Sequence, residues 1–177
     1  MCTVAGKLNG NDVRLLTEWR NRFVKSFLTE FEATDARTSE WLTGNVGPDP
    51  TRVLFMLDDA RGQTVAYLGL AFIDWEQRTG EADAIVRGAE VAPGVMAKAM
   101  FTLLDWGYKQ LELETLGARV RSDNPALRFF LKIGNEDKRV PLRRIDEPGI
   151  VRWVEDETLA GSSASLVYLT FDRTFRT

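Results

Sequence analysis

The chain has 177 residues, 44% hydrophobic and 28% charged, with 23 basic against 26 acidic side chains and a formal net charge of −3. One cysteine and no histidine exclude Ser–His–Asp and Cys–His catalysis and every His- or Cys-rich zinc shell. The charge balance gives no push toward nucleic acid or an anionic membrane, and no run approaches the ~20 apolar residues that span a bilayer.

A single domain, 1–177, is expected at this length, with a core that needs no disulfide staple. The lone Cys2 fits a reducing cytoplasm and is given no role. The start, MCTVAGKLNGNDVRLL, lacks the basic region and apolar run of a signal peptide. A soluble, cytoplasmic protein without a metal site is the expectation.

In NDVRLLTEWRNRFVKSFLTEF, from Asn11, apolar residues fall at 13, 15, 16, 19, 23, 24, 27 and 28. That spacing predicts a helix capped by Asn11 or Asp12. DARTSEWLTG predicts a second, short helix closing at Gly44, and NVGPDPT a loop. RVLFMLDD, TVAYLGLAFIDW and EADAIVRG then read as three strands of a meander, joined by the turns DARGQ and EQRTG. From Pro93 the period changes to helical, with positions 95, 96, 99, 100, 103, 104, 107 and 111 along one stripe. TLGARVRSD is a strand, NPALRFFLKIG a short helix ending on Gly134, and KRVPLRR, IVRWVED and SLVYLTFDR are further strands. The order predicts a mixed α/β fold. SLVYLTFDR is compatible with pairing inside the chain or across a homodimer.

The segment RGAEVAPGVM sets Gly88 and Gly94 between a strand end and a helix start. Free N–H groups and the positive end of a helix dipole make such a place a phosphate cradle, and glycines let backbone approach closely. An ordinary glycine-containing loop is the alternative.

With its surroundings this segment resembles the cofactor-binding core of the GNAT acetyltransferase superfamily. SDNPALRFFLKIG is similar to the family's strand-end asparagine, short helix and glycine. TEWRNR resembles the first helix of the branch that acetylates ribosomal-protein N-termini, polyamines and nucleotide-linked amino sugars. The resemblance covers roughly residues 11–142, and the stretch around 143–163 is an excursion beyond it. It implies a central, mostly antiparallel sheet with a splayed parallel strand pair, flanked by helices. It also implies acetyl-CoA as cofactor and a small-molecule amine as acceptor, such as a nucleotide-linked amino sugar. A relative that binds acyl-CoA or a partner without catalysis is the other reading. Two departures bear on it: the loop after Arg87 is not the family's usual one, and Phe130 stands where a tyrosine commonly protonates the leaving thiolate.

Carried onto this chain, the resemblance implies that Ile85, Val86 and Arg87 pair through backbone with the pantetheine arm. Gly88, Gly94, Val95 and Met96 would offer N–H groups to the pyrophosphate, and Phe130 would keep packing near the thiol. Lys98 either reaches a cofactor phosphate or lies on a solvated face. Asn124 holds the cofactor where the strands splay, caps the next helix, or does both. An unpaired strand N–H would face the developing oxyanion.

An amine with an ordinary pKa of about 10 must lose a proton before attack, so carboxylates are the candidate acceptors. Strict alternation in EADAIVRG puts Glu81, Asp83, Ile85 and Arg87 on one face and Ala82, Ala84 and Val86 on the other. Asp83 is then a base acting through water or an ion-pair partner of Arg87, with Glu81 beside it. Asp74 and Trp75, at a strand end, are expected beside the cleft. Trp19 lies on the apolar stripe of the first helix; Arg20 and Asn21 border the acceptor side, where Arg20 meets an anionic substrate or points to water.

Overall fold

The computed structural model describes residues 8–173, so Cys2 lies outside the described residues. Helix α1 (Gly10–Arg22) is capped by the Asn9 side chain rather than by Asn11 or Asp12. It stops at Arg22 although the helical period continues. Asn21 clamps Ala33 through both its amide atoms, donating to the carbonyl at 3.0 Å and accepting from the N–H at 2.8 Å. Arg20 Nη2 donates to the Thr29 carbonyl. These bonds fold the chain back on the helix, and the stretch read as its second half becomes a single 3₁₀ turn (Val24–Ser26) and strand β1 (Thr29–Phe31). Helix α2 (Asp35–Trp41) follows, extended by a wider turn over Leu42–Val46.

The meander forms as expected: β2 (Val53–Asp58), β3 (Thr64–Asp74) and β4 (Thr79–Arg87). Helix α3 (Val95–Gln110), β5 (Thr115–Arg121), α4 (Leu127–Ile133), β6 (Gly134–Glu147), β7 (Ile150–Glu155) and β8 (Ser165–Phe171) complete the chain. The expected excursion is the outer half of the β6–β7 hairpin, which β1 joins as a third strand. All eight strands form one sheet in the order β1-β7-β6-β8-β5-β4-β3-β2. β8 pairs with β5 on one edge and β6 on the other, so its partners lie within the chain.

The main core lies between the sheet and helices α3 and α4. Leu70, Met100, Leu113 and Leu116 are among its most deeply buried side chains, and truncating any of them to alanine costs about 2–5 kcal/mol. Helices α1 and α2 cover part of the other face, where Val13, Leu16 and Trp19 pack on Leu54, Met56, Tyr67 and Val86. Leu142, Ala164 and Leu166 form a third cluster with Leu28 and Trp153. No described helix is long and apolar enough to cross a membrane.

Candidate active site

Strands β4 and β5 run parallel and pair only at Thr79–Thr115, Gly80–Leu116 and Glu81–Gly117. Beyond that point β4 stays with β3 and β5 stays with β8, so the two diverge. The facing edges of residues 82–87 and 118–121 have no strand partner. An open edge of this kind presents main-chain donors and acceptors to an extended ligand.

A bulge marks the mouth of this wedge. Tyr67 pairs with Val86 and Gly69 with Asp83, which leaves Ala84 and Ile85 opposite Leu68 alone. Ala84 takes a left-handed backbone, φ +53°, costing about 1–2 kcal/mol for a residue with a Cβ. The extra residue reverses the alternation beyond it. Ala82 and Ile85 pack toward α3, and Ala84 and Val86 toward α1. The single-face reading of β4 is therefore corrected: Ile85 leaves the face of Asp83.

The start of α3 stands at the open end of the wedge. Gly94, φ +87°, precedes the helix, and a Cβ there would meet nothing within 4 Å. Val95 N–H is used by Ala92 O at 3.2 Å and Lys98 N–H by Gly94 O at 2.9 Å. The N–H groups of Gly94, Met96 and Ala97 make no hydrogen bond to a described residue. Three free donors at the positive end of a sixteen-residue helix suit a pyrophosphate. Lys98, exposed and with no ion pair to a described residue, lies one turn in, and Arg87 is exposed at the end of β4. These groups and the unpaired β4 edge fit a long, anionic-ended cofactor such as acetyl-CoA.

Two expected cradle donors are not available. Gly88 N–H donates to Val65 O at 3.0 Å, and a Cβ on Gly88 would land in the Trp19 indole. The glycine serves helix packing rather than phosphate approach. Val95 N–H closes its own turn, and Ala97 takes the place that sequence gave it. Asn124 Oδ1 accepts from Ala126 N–H at 2.9 Å, an Asx turn that starts α4, while its Nδ2 faces Ser26 O at 3.5 Å. Phe130 is 6% exposed, edge-on to Phe129 and tilted against Phe171, so its ring belongs to the main core.

Asp83 is half-buried and makes no hydrogen bond or ion pair with a described residue. The ion pair with Arg87 considered above is not formed. Glu81 is engaged: its Oε2 accepts from Arg119 Nε at 2.6 Å. For Arg119, burial alone pushes the guanidinium down, and Glu81 and Tyr168 more than offset it. Tyr67, stacked on Trp19 at 6.1 Å, is pushed up by burial. Arg20 is also engaged, packed on Phe27 at 3.7 Å and Phe31 at 4.8 Å, and burial lowers its pKa. Arg20 and Asn21 are therefore joints between α1 and β1.

Asp74 and Trp75 sit at the wrong end. Asp74 pairs with Thr79, the first residue of β4, about 26 Å along the strand from Arg87 at ~3.3 Å per residue. Its Oδ1 accepts from Glu76 and Gln77 N–H to close the hairpin turn, and Trp75 Nε1 donates to Pro50 O. That is the paired end of β4 and β5, away from the wedge. Sequence reasoning also passed over Arg119 and Arg121, two cations on one face of an otherwise apolar strand. Arg119 bonds Glu81, and Arg121 bonds Asp123, Glu30 and the Phe27 carbonyl.

The family model described as acetyltransferase (GNAT) domain matches residues 7–135. No curated protein sequence matches the chain. Spermidine N-acetyltransferase from Vibrio cholerae, solved with CoA and spermine, is similar in fold, with TM-score 0.67 and 17% identity over 93% of this chain and 91% of that chain. A dodecameric structure of the Vibrio cholerae enzyme gives TM-score 0.65 and 18% identity, covering 93% of this chain and 90% of that chain.

Proposed function

The chain belongs to the GNAT acetyltransferase family, and from that premise we propose that it transfers acetyl from acetyl-CoA to a small primary amine by direct attack on the thioester. The observation that carries this reading is the wedge after Glu81–Gly117, with the Ala84 bulge at its mouth and the unpaired Asp83 beside it. Acetyl-CoA supplies an already activated acyl group, so no protein nucleophile is needed.

The N–H groups of Gly94, Met96 and Ala97, with Lys98, hold the pyrophosphate end, and the 82–87 edge holds the pantetheine arm. A main-chain N–H freed at the bulge faces the charge that builds on the acetyl oxygen. The Asp83 carboxylate takes one ammonium proton, which frees the nitrogen lone pair. That lone pair bonds the acetyl carbon as the carbon–sulfur bond breaks, and the second nitrogen proton passes through water to the thiolate, because Phe130 has none to give.

The acceptor face also bears on substrate. Arg119 and Arg121 are paired with carboxylates, and Arg20 packs on Phe27 and Phe31 with its unbonded Nη1 buried, which leaves no exposed free guanidinium among them for the diphosphate of a nucleotide-linked amino sugar. The unpaired Asp83 favours a cationic amine instead. The spermidine N-acetyltransferases that share the fold, one of them solved with CoA and spermine, support that direction. Calorimetric titration with acetyl-CoA, followed by thiol release over a panel of amines including spermidine and an amino-sugar nucleotide, tests the reading. Failure to bind acetyl-CoA, or binding without thiol release for any amine, sinks it.

A further inference from the structure

Beneath the bulge lies a cavity of about 10 Å³ whose walls include Trp41, Arg52, Val53, Gly69, Asp83 and Ala84. Two of these carry unmet hydrogen-bonding capacity. Arg52 Nε is buried and has no hydrogen-bond partner among the described residues. Asp49 Oδ2, 3.7 Å away, is too far for a hydrogen bond, and Asp49 Oδ1 is committed to Thr51 N–H and hydroxyl at 2.9 and 2.6 Å. Asp83, which also lines the cavity, makes no hydrogen bond or ion pair with a described residue. A buried N–H of a guanidinium left unsatisfied is costly, and native structures rarely keep one.

The cavity has the size of one water molecule, which needs about 10–15 Å³ of this kind of space and at least two polar partners. Water is also the ligand whose chemistry matches the walls: it accepts from Arg52 Nε–H and donates to a carboxylate oxygen. We propose that Arg52 is a positioning residue for Asp83, acting through a single ordered water held between Arg52 Nε and the Asp83 carboxylate. The water fixes one carboxylate oxygen against the sheet and leaves the other turned to the incoming amine. This inference rests on the reading of Asp83 as the proton acceptor. It adds a residue from β2's approach, which has no counterpart among the expected site residues.

The test combines a structure and a double-mutant cycle. A crystal structure that resolves ordered water should show one peak within hydrogen-bond distance of both Arg52 Nε and an Asp83 oxygen; a direct Arg52–Asp83 ion pair, or no peak, overturns the proposal. Arg52→Met should lower kcat about tenfold, the loss of one charged hydrogen bond, with acetyl-CoA affinity and acceptor KM unchanged. Arg52→Lys should recover part of the loss. In an Asp83→Asn background, Arg52→Met should cost less than about twofold. An equal cost in both backgrounds means Arg52 acts only on the fold, and the proposal fails. If Asp83→Asn is as active as the parent, the proton-acceptor reading fails and the crystallographic water alone decides whether Arg52 and Asp83 are linked.

Discussion

Arg121 and Glu30 meet at 3.3 Å with only 4% and 7% of their side chains exposed. Arg121 also grips Asp123 through two bonds, 3.0 and 2.6 Å, and stacks over Trp153 at 4.2 Å. Glu30 accepts further from Lys25 and Trp153 Nε1, each at 2.7 Å. The pair thus ties β1, β5 and β7 together behind the acceptor side.

Glu30 makes stability depend on acid. Burial pushes its carboxyl up, but the bonds from Lys25, Trp153 and Arg121 outweigh it and hold it at about 2 against an ordinary 4.5. A carboxylate depressed in the folded state stabilises above its unfolded value and loses that contribution as pH falls toward the folded one. Denaturant unfolding of parent and Glu30→Gln should differ by on the order of 3 kcal/mol at pH 7. The gap should close progressively from about pH 5 toward pH 2. A gap that stays constant over this range contradicts the assignment.

Gly88 should be intolerant of any side chain. Trp19 is 2% exposed and stacked on Tyr67, so the indole cannot step aside. Gly88→Ala is expected to cost about 2–4 kcal/mol in urea unfolding. In a Trp19→Leu background the same change should cost much less, because the space has been vacated.

The bulge is tested at Ala84. A β-branched residue is poorly suited to φ +53°, so Ala84→Val should straighten or destabilise the strand and reduce turnover more than about tenfold. Ala84→Gly, which accepts that backbone freely, should retain activity. Steady-state thiol release on both variants distinguishes them; equal activity would remove the bulge from the mechanism.

Lys98 should matter to the cofactor and to nothing else. It is exposed and pairs with no described residue, so Lys98→Glu should leave the unfolding free energy within about 0.5 kcal/mol of the parent. Acetyl-CoA affinity measured by calorimetry should fall about threefold to tenfold, and the difference should shrink at high salt. An unchanged affinity would return Lys98 to the solvated face.

Phe130→Tyr does not restore an acid. The ring is enclosed by Phe129 and Phe171, so a hydroxyl there is buried without a partner at a cost of about 1–3 kcal/mol. Thermal unfolding should show a lower midpoint, and turnover should not rise.

Long elements were legible because their periodicity is long: α3 and the strands β2, β3 and β5 lie close to where apolar spacing puts them. β1 was not, since Phe23, Val24, Phe27 and Leu28 continue a helical stripe; what ends α1 is tertiary, the Asn21 clamp on Ala33 and the Arg20 bond to Thr29. Alternation could not reveal the bulge at Ala84, because nothing in EADAIVRG distinguishes a bulged strand from a regular one. Gly88 showed that backbone had to come close to something, and only packing identified Trp19 as the neighbour. Asp74 looked chemical beside Trp75, whereas its carboxylate caps a turn.

The wedge between β4 and β5 is built from main-chain edges and helix-start amides rather than from particular side chains. Every residue except proline carries such an amide. Point substitutions along 82–87 that keep the backbone path therefore leave the slot's donors and acceptors in place. The acceptor face, made of Asp83, Glu81, Arg119 and Arg121, has no such insulation, since each change there alters a charge. Under mutation the two halves of the site should drift at different speeds, with cofactor use persisting while the choice of amine is rewritten.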